Sequence, residues 1–379
     1  MQFLIFFSIV LIVYFAGNWF VYHHGRLAFE DTRKSKQVYT WFFWILSITF
    51  PAGRILEEQA PSIFSEILLW IGSFWLAFLL YSFLSSLLIF FFRLSNRIKK
   101  WFPGLFYQAY FKRIGFYTLL IFISGLILYG YYNAQNVQTT NLNINFNPEA
   151  AAYQDIHAVV ISDVHLSSMI KKKQFSRIVH RIQGLNPDII MIAGDLVDGD
   201  LEAVIRHNSL QPMEVLKPPL GIYAVTGNHE YIGGVEKAVS YLKRYNIQFL
   251  RDTAILIDSS FYLIGREDIE SKRFRGKPRK PLAQITRNLN SSLPRILLDH
   301  QPATIEESRQ QNIDLLLSGH THHGQLWPLG MITKALFLND YGHTTFGQLH
   351  TYTSSGAGTW GPPVKIGSKA EIVSIQLRL

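Results

Sequence analysis

Residues 315–328, LLLSGHTHHGQLWP, put three histidines into four positions directly after a run of leucines. A chain that runs through an apolar layer and then surfaces on His320, His322 and His323, between Gly319 and Gly324, reads as a buried strand ending in ligand side chains. A single histidine near a core is ordinarily a hydrogen-bonded core residue; three together ask for a shared partner. In an extended segment residues i and i+2 point to the same side, so His320 and His322 are expected to face one site and His323 to face away. The flanking glycines let the backbone turn sharply there.

The same form recurs upstream. After AVVIS comes Asp163 and then His165; after IIMIAG come Asp195 and Asp198; after YAVTG come Asn228, His229 and Glu230; after RILLD comes His300. Carboxylates, imidazoles and one amide carbonyl form the ligand set of borderline to hard divalent metals. The chain has no cysteine, which excludes disulfides, thiolate catalysis and Cys-ligated zinc. Between these pieces, short apolar runs alternate with helical periodicity: Phe175, Ile178, Val179, Ile182 and Leu185 fall on one helical face. The pattern predicts an α/β domain with more strands than one open sheet needs, hence two packed sheets flanked by helices.

The ordered pieces DVH, GDLVD, GNHE, the His of LLDHQP, and GHTH resemble the motifs D-x-H, G-D-x-x-D, G-N-H-[DE], a lone His and G-H-x-H of the calcineurin-like metallophosphoesterases. The resemblance runs from about residue 156 to the C-terminus. The stretches SSGAGTWGPPVKIGSKAEI and SGHTHHGQLWP further resemble the membrane-associated bacterial phosphodiesterase branch. This implies a two-sheet α/β sandwich with a two-metal site: Asp163, His165, Asp195 and His322 on one ion, and Asn228, His300 and His320 on the other, with Asp195 bridging. It also implies His229 as the group that protonates a leaving oxygen or steadies the phosphoryl group, with Asp198 and Glu230 orienting the ligands or His229 by hydrogen bonds. The chain departs from the pattern at His323, where relatives carry Gly. Where purple acid phosphatases carry a metal-binding Tyr it has Asp198, so a Tyr–iron(III) bond is not available. A divalent pair is expected, manganese first, with iron, zinc or cobalt as alternatives.

The first 132 residues differ in kind. The whole chain is 48% hydrophobic and only 17% charged, against roughly a quarter charged in soluble domains. Four apolar stretches, Phe3 to Val21, Val38 to about Phe50, Ile63 to Phe92 and about Ile114 to Tyr132, are candidates to cross a bilayer. The first lacks a basic lead-in and a small-residue cleavage site, and reads as a retained helix. Arg26, Arg33, Lys34 and Lys36 lie between spans one and two; Arg93, Arg97, Lys99, Lys100, Lys112 and Arg113 lie between three and four. With basic loops kept inside, both termini are expected on the extracytoplasmic side of a bacterial inner or cell membrane. That orientation reverses if span two does not cross.

The expected organisation is therefore a transmembrane α-helical bundle (1–132), a polar linker (133–155) and an α/β metallophosphoesterase domain (156–379). The expected function is hydrolysis of a phosphodiester or pyrophosphate bond in a lipid or envelope molecule by metal-activated water. A cytoplasm-facing pyrophosphatase acting on a lipid-A precursor or nucleotide, or a non-catalytic phospho-ligand binder, are the alternatives. The net charge of +9 is partly used in orienting the helices, so no nucleic acid partner is expected, and no protein partner is implied. The stretch SKRFRGKPRK, 271–280, with six Lys or Arg in ten positions, is either a solvated loop or a dock for anionic headgroups.

Overall fold

A computed structural model describes residues 2–100, 104, 108–146 and 155–379, with side chains from residue 8 onward. It divides into two compact units, one of 1–130 with 361–364, the other of 131–360 with 365–379.

The first unit is helical: α1 (Gln2–Arg26), α2 (Arg33–Gln59), α3 (Ile63–Lys99) and the greater part of α4 (Ala109–Gln135). Two of these, α3 and α4, are long and apolar enough to cross a membrane. The stretch expected to stop near Pro51 instead runs as one helix through that proline to Gln59. Inside the unit Val21, Phe43, Trp75 and Leu79 form a small buried cluster. The Trp75 indole donates to Asn18 Oδ1 at 3.0 Å, which satisfies a polar group that burial would otherwise penalise.

The second unit holds twelve described strands: β1 (Gln138–Asn145), β2 (Asp155–Ile161), β3 (Ile189–Ile192), β4 (Ile222–Ala224), β5 (Ile247–Phe249), β6 (Thr253–Ile257), β7 (Phe261–Gly265), β8 (Arg295–Leu298), β9 (Leu315–Ser318), β10 (Gly342–Phe346), β11 (Leu349–Thr353) and β12 (Glu371–Arg378). They form two sheets, ordered β1-β12-β2-β3-β4-β5 and β10-β11-β9-β8-β7-β6. The expected two-sheet α/β architecture is thus present. Residues 138–145, read from sequence as part of a polar linker, are a strand instead, paired parallel to β12 with Ile144 opposite Leu377. Of the remainder, 133–135 close α4, 155 opens β2, and 147–154 lie outside the described residues.

Both faces of the central strands are buried, which explains why they read as unbroken apolar runs. In β2, Ala158 and Val160 point between the sheets with Ile296, Leu298, Leu315 and Leu317, while Val159 and Ile161 pack under Phe175, Ile178 and Ile182 of α5 (Lys172–Leu185). β2, β3 and β4 run parallel, as do β7, β8 and β9. Their C-terminal ends therefore emerge together, and the polar pieces follow on those ends.

Candidate metal centre

Asp163 follows β2, Asp195 follows β3, Asn228 opens α7 (Asn228–Ile232) after β4, His300 follows β8, and His320 follows β9. The loops they occupy are tight. A Cβ on Gly227 would run into the Asp195 carboxylate, and one on Gly319 into that of Asp163. The G-N and G-H pairs of the sequence thus put side-chain-free backbone where a neighbouring strand end delivers a carboxylate, and Gly194 of the G-D pair does the same for the His300 ring.

Five of the seven residues expected to bind metal have left-handed backbone: Asp163 (φ 51°), His165 (54°), Asp195 (52°), His320 (73°) and His322 (48°). Non-glycine residues pay for that conformation and keep it only where the surroundings enforce it, commonly at functional sites. The geometry also refines the expectation drawn from extended chain. His320 and His322 line one continuous cluster of ligand side chains but fall in different groups of it. His322 joins Asp163 and His165, whereas His320 joins Asp195 and His300. The twisted backbone between them, not a flat strand, sends their rings in different directions.

In the first group His165 Nε2 and His322 Nε2 lie 3.0 Å apart, with Asp163 Oδ1 at 3.4 Å from His322 Nε2 and 3.9 Å from His165 Nε2. Buried lone pairs brought this close repel unless a proton or a cation lies among them. In the second group the bonding fixes the argument further. His300 Nδ1 lies 2.8 Å from the Ala193 carbonyl, which only accepts, so Nδ1 carries a hydrogen. Nε2 is then the nitrogen that faces Asp195 Oδ2 at 3.1 Å and Asn228 Oδ1 at 3.1 Å, and a cation in place of its proton would meet the same oxygens. His320 Nδ1 approaches the same Asn228 oxygen at 2.9 Å. Such convergence suits a divalent cation held by neutral imidazole and carboxylate, with the far nitrogen of the ring locked by backbone. A third overlapping group joins His165, Asp195 and His229, so Asp195 is common to two of the three groups.

The electrostatics follow from this crowding. Burial works against ionised Asp195, but His300, His229 and His165 outweigh it and hold the carboxyl well below the usual range. Burial likewise opposes a charged His300, yet Asp195 beside it raises the ring well above an ordinary histidine. His320 is pushed down to about 3 by burial and by the charge of His300, and His322 falls well below its usual value for burial and for His165.

His229 sits at the edge, its Nδ1 2.7 Å from Asp198 Oδ1. Burial lowers it, but Asp198 and Asp195 prevail and lift it to about 9. Asp198 itself is held at about 2 by His165 and His229 in spite of its burial. Its Oδ1 is also 3.3 Å from His165 Nδ1, though without the alignment of a hydrogen bond, so that buried nitrogen remains unpartnered. Glu230 acts differently. Its carboxylate accepts from the backbone N–H of Asp195 (3.1 Å), Val197 (3.0 Å) and Gly227 (2.8 Å), clamping two of the loops together.

Two features carried no signal in the sequence. Lys365 is fully buried and donates to the Gly356 and Lys369 carbonyls (3.0 and 3.1 Å) and to that of Ser355, which organises the loop whose Ala357 and Gly358 N–H groups bond Ser162 O and Asp163 O (both 2.9 Å). Burial lowers its ammonium to about 8 against the pull of Asp163 and Glu371. Asp268 accepts both contacts of the Gln301 amide (3.1 Å each), beside His300, and burial raises it to about 6. His323 turns away, as expected, and its Nδ1 meets Asp340 Oδ2 at 2.8 Å.

The family model for calcineurin-like phosphoesterases matches residues 156–324. An uncharacterized metallophosphoesterase of Helicobacter pylori strain J99 is 31% identical over 274 residues, 70% of each chain. Another, from Campylobacter jejuni, aligns at 27% identity over 100% of this chain and 99% of its own. A zebrafish (Danio rerio) protein described as a transmembrane protein with metallophosphoesterase domain is 31% identical over 68% of this chain and 62% of its own.

Proposed function

The chain belongs to the calcineurin-like metallophosphoesterases, and on that premise we propose that it is a membrane-anchored, two-metal phosphodiesterase or pyrophosphatase acting on a lipid or envelope molecule. That it is a metal-dependent phosphoester hydrolase follows from the family. The two-ion stoichiometry, the roles of individual residues and the substrate are our reading. The observation that carries the reading is the convergence of His300 Nε2, Asp195 Oδ2, Asn228 Oδ1 and His320 Nδ1, with neighbouring donor atoms 2.9–3.1 Å apart.

Asp163, His165, Asp195 and His322 would hold one ion, and Asp195, Asn228, His300 and His320 the other, with manganese as the first candidate. Bound there, divalent cations supply the charge that acidifies a water and neutralises phosphoryl oxygens, so no side-chain nucleophile is needed. The protein's own groups do the rest. Asp198 fixes the His229 tautomer and keeps the ring protonated at neutral pH, which equips it to give a proton to the departing oxygen. Glu230 keeps the Asp195 and Gly227 loops in register, a positioning role.

The membrane part of the reading is supported by α3 and α4 and by relatives described as transmembrane proteins. The distribution of Lys and Arg in the short loops favours an extracytoplasmic catalytic unit. A reporter fused after Leu379 tests the side: activity only in the cytoplasmic compartment reverses it. For the site, full-length protein stripped of metal and reloaded with Mn²⁺, Zn²⁺ or Fe²⁺ is expected to bind two ions per chain and to hydrolyse a bis-aryl phosphodiester. A stoichiometry of one, with full activity, overturns the two-ion assignment.

A further inference from the structure

Immediately after the ligand loop, residues 326–338, LWPLGMITKALFL, expose apolar side chains in a cluster: Trp327 is 60% exposed, Met331 69%, Ile332 55%, Leu336 71% and Leu338 77%. Elsewhere in the catalytic unit the exposed large apolar residues described, such as Ile205, Val215 and Leu256, stand singly. Scattered exposed apolar residues need no explanation; a contiguous group does. Between Leu326 and Asn339 the sequence has one charge, Lys334, and no acid.

The segment is not loose. Thr333 Oγ1 donates to Asp340 Oδ2 at 2.9 Å, and the same carboxylate oxygen meets His323 Nδ1 at 2.8 Å. Thr321 Oγ1 donates to the Asp340 carbonyl at 2.6 Å. His323 therefore braces the apolar segment against the loop that carries His320 and His322, and Phe337 lies edge-on to His320 with ring centroids 6.1 Å apart. Trp360, whose backbone N–H and carbonyl both bond the Gln325 amide at 2.9 Å, is 57% exposed and its ring is 5.9 Å from that of His229. Exposed apolar groups thus flank the candidate site and are rigidly joined to it.

A second connection says what would cover them. The Asn133 amide, in the last turn of α4, donates to the carbonyls of Lys365 (3.0 Å) and Ser368 (2.8 Å). The intervening Ile366 donates to Gln325 O (2.9 Å) and accepts from Trp327 N–H (2.6 Å). One short segment therefore separates Trp327 from the end of a helix apolar enough to cross a membrane, an end marked by Tyr131 and Tyr132 as interfacial anchors are. The basic stretch 271–280 is the weaker candidate for a membrane dock. Arg273 pairs with Glu270 (3.4 Å), Arg275 with Glu267 (2.8 Å) and Arg279 with Asp299 (2.8 Å), so all three of its arginines are answered within the fold.

We propose that residues 327–338 are a bilayer-docking rim that inserts into the interface and seats the metal centre on the membrane surface, so that the substrate is the phosphodiester or phosphoanhydride headgroup of an embedded lipid. Apolar side chains around a single basic residue suit the headgroup and acyl boundary. The substrate half rests on the hydrolase reading above; the docking half does not.

The native chain has no cysteine, so single labels can be placed cleanly. Full-length protein carrying Ile332→Cys or Leu336→Cys, tagged with an environment-sensitive fluorophore, would be reconstituted into nanodiscs of phosphatidylcholine and phosphatidylglycerol, with Lys237→Cys on α8 (Val235–Leu242) as the exposed control. The expected result is a blue-shifted emission, quenched several-fold by nitroxide on the lipid acyl chains, at 332 and 336 but not at 237. Labels at 332 and 336 quenched only from the aqueous phase overturn the docking rim. Quenching lost on dilution, with cross-linking between the introduced cysteines, assigns the face to a second copy of the chain and overturns it too.

Activity separates the two halves. The Ile332→Glu/Leu336→Glu double variant is expected to keep hydrolysis of a soluble bis-aryl diester within twofold, and to lose at least tenfold on a phosphodiester lipid in vesicles. An equal rate on the vesicle lipid overturns the substrate half. A wild-type protein that cleaves neither substrate sinks the hydrolase reading, while the quenching result stands or falls by itself.

Discussion

The two groups of side chains proposed to hold metal are held in different ways. In the half built from Asp195, Asn228, His300 and His320, the His300 ring is fixed from behind by the Ala193 carbonyl and buried completely. In the half built from Asp163, His165 and His322, the rear nitrogens of both imidazoles, His165 Nδ1 and His322 Nδ1, are buried without a hydrogen-bond partner. A ring whose far nitrogen is locked loses less freedom on binding and keeps its donor lone pair aimed, and supporting partners of this kind typically alter metal affinity about 10–100-fold. The difference teaches that the centre is expected to load in order, the His300 half first and the His165 half second.

The largest effect belongs to Asp195, the residue proposed to be shared by both halves. Asp195→Ala removes a carboxylate from each, and metal-dependent hydrolysis of a bis-aryl diester is expected to fall at least ~10³-fold, ~4 kcal/mol at 1.36 kcal/mol per decade. Metal content measured on the same preparation should fall below one ion per chain; two retained ions would show that Asp195 is not shared. Next comes His229→Ala, expected to cost ~10²–10⁴-fold where the leaving alcohol needs a proton and much less where it is a nitrophenol. An equal loss on both substrates would deny His229 the role of acid. Smaller again is Asp198→Asn, which leaves the ring of His229 in place but without its charged partner; a 10–100-fold loss is estimated, roughly the range for residues that orient a functional group.

The order of loading gives a direct test of the difference between the halves. Under a graded chelator, the first ion released is expected to be the one whose loss is mimicked by His165→Ala, and the last the one lost in His300→Ala. Metal analysis at each chelator concentration reads this, and simultaneous release would mean that the locked tautomer of His300 confers no advantage.

How much of this was legible beforehand divides along a physical line. The strands that carry Asp163, Asp195, Asn228, His300 and His320 are apolar on both faces, so they stand out in composition, and the ligand chemistry is local to each strand end. What escaped is whatever depends on contacts from far along the chain. The left-handed backbone at His320 and His322 is imposed by packing, so a two-residue periodicity could not tell that the two rings part company. Lys365 looked like an ordinary loop lysine because nothing near it in sequence reveals the carbonyls that enclose it. The basic stretch 271–280 read as a solvated loop or a dock, and nothing beside it in sequence announced that Asp299, twenty residues on, would pair with Arg279.

β1 is the sharpest case of this limit and carries the smallest expected effect on chemistry. QTTNLNIN offers only Leu142 and Ile144 as apolar residues and passes for a linker, because the strand at a sheet's edge faces water on one side. Yet Ile144 is wholly buried between the sheets with Ile156, Ile375 and Leu377, far along the strands from the ligand loops. Ile144→Ala is therefore expected to cost about 2–5 kcal/mol of unfolding free energy, the range for truncating a buried Ile to Ala. The kcat of the folded fraction should be unchanged, because no ligand loop is attached to β1. Denaturant unfolding set beside single-turnover hydrolysis checks both at once. A variant that lost kcat but not stability would mean that the strand tying α4 to the catalytic unit is part of the working site, and that the membrane helices do more than anchor it.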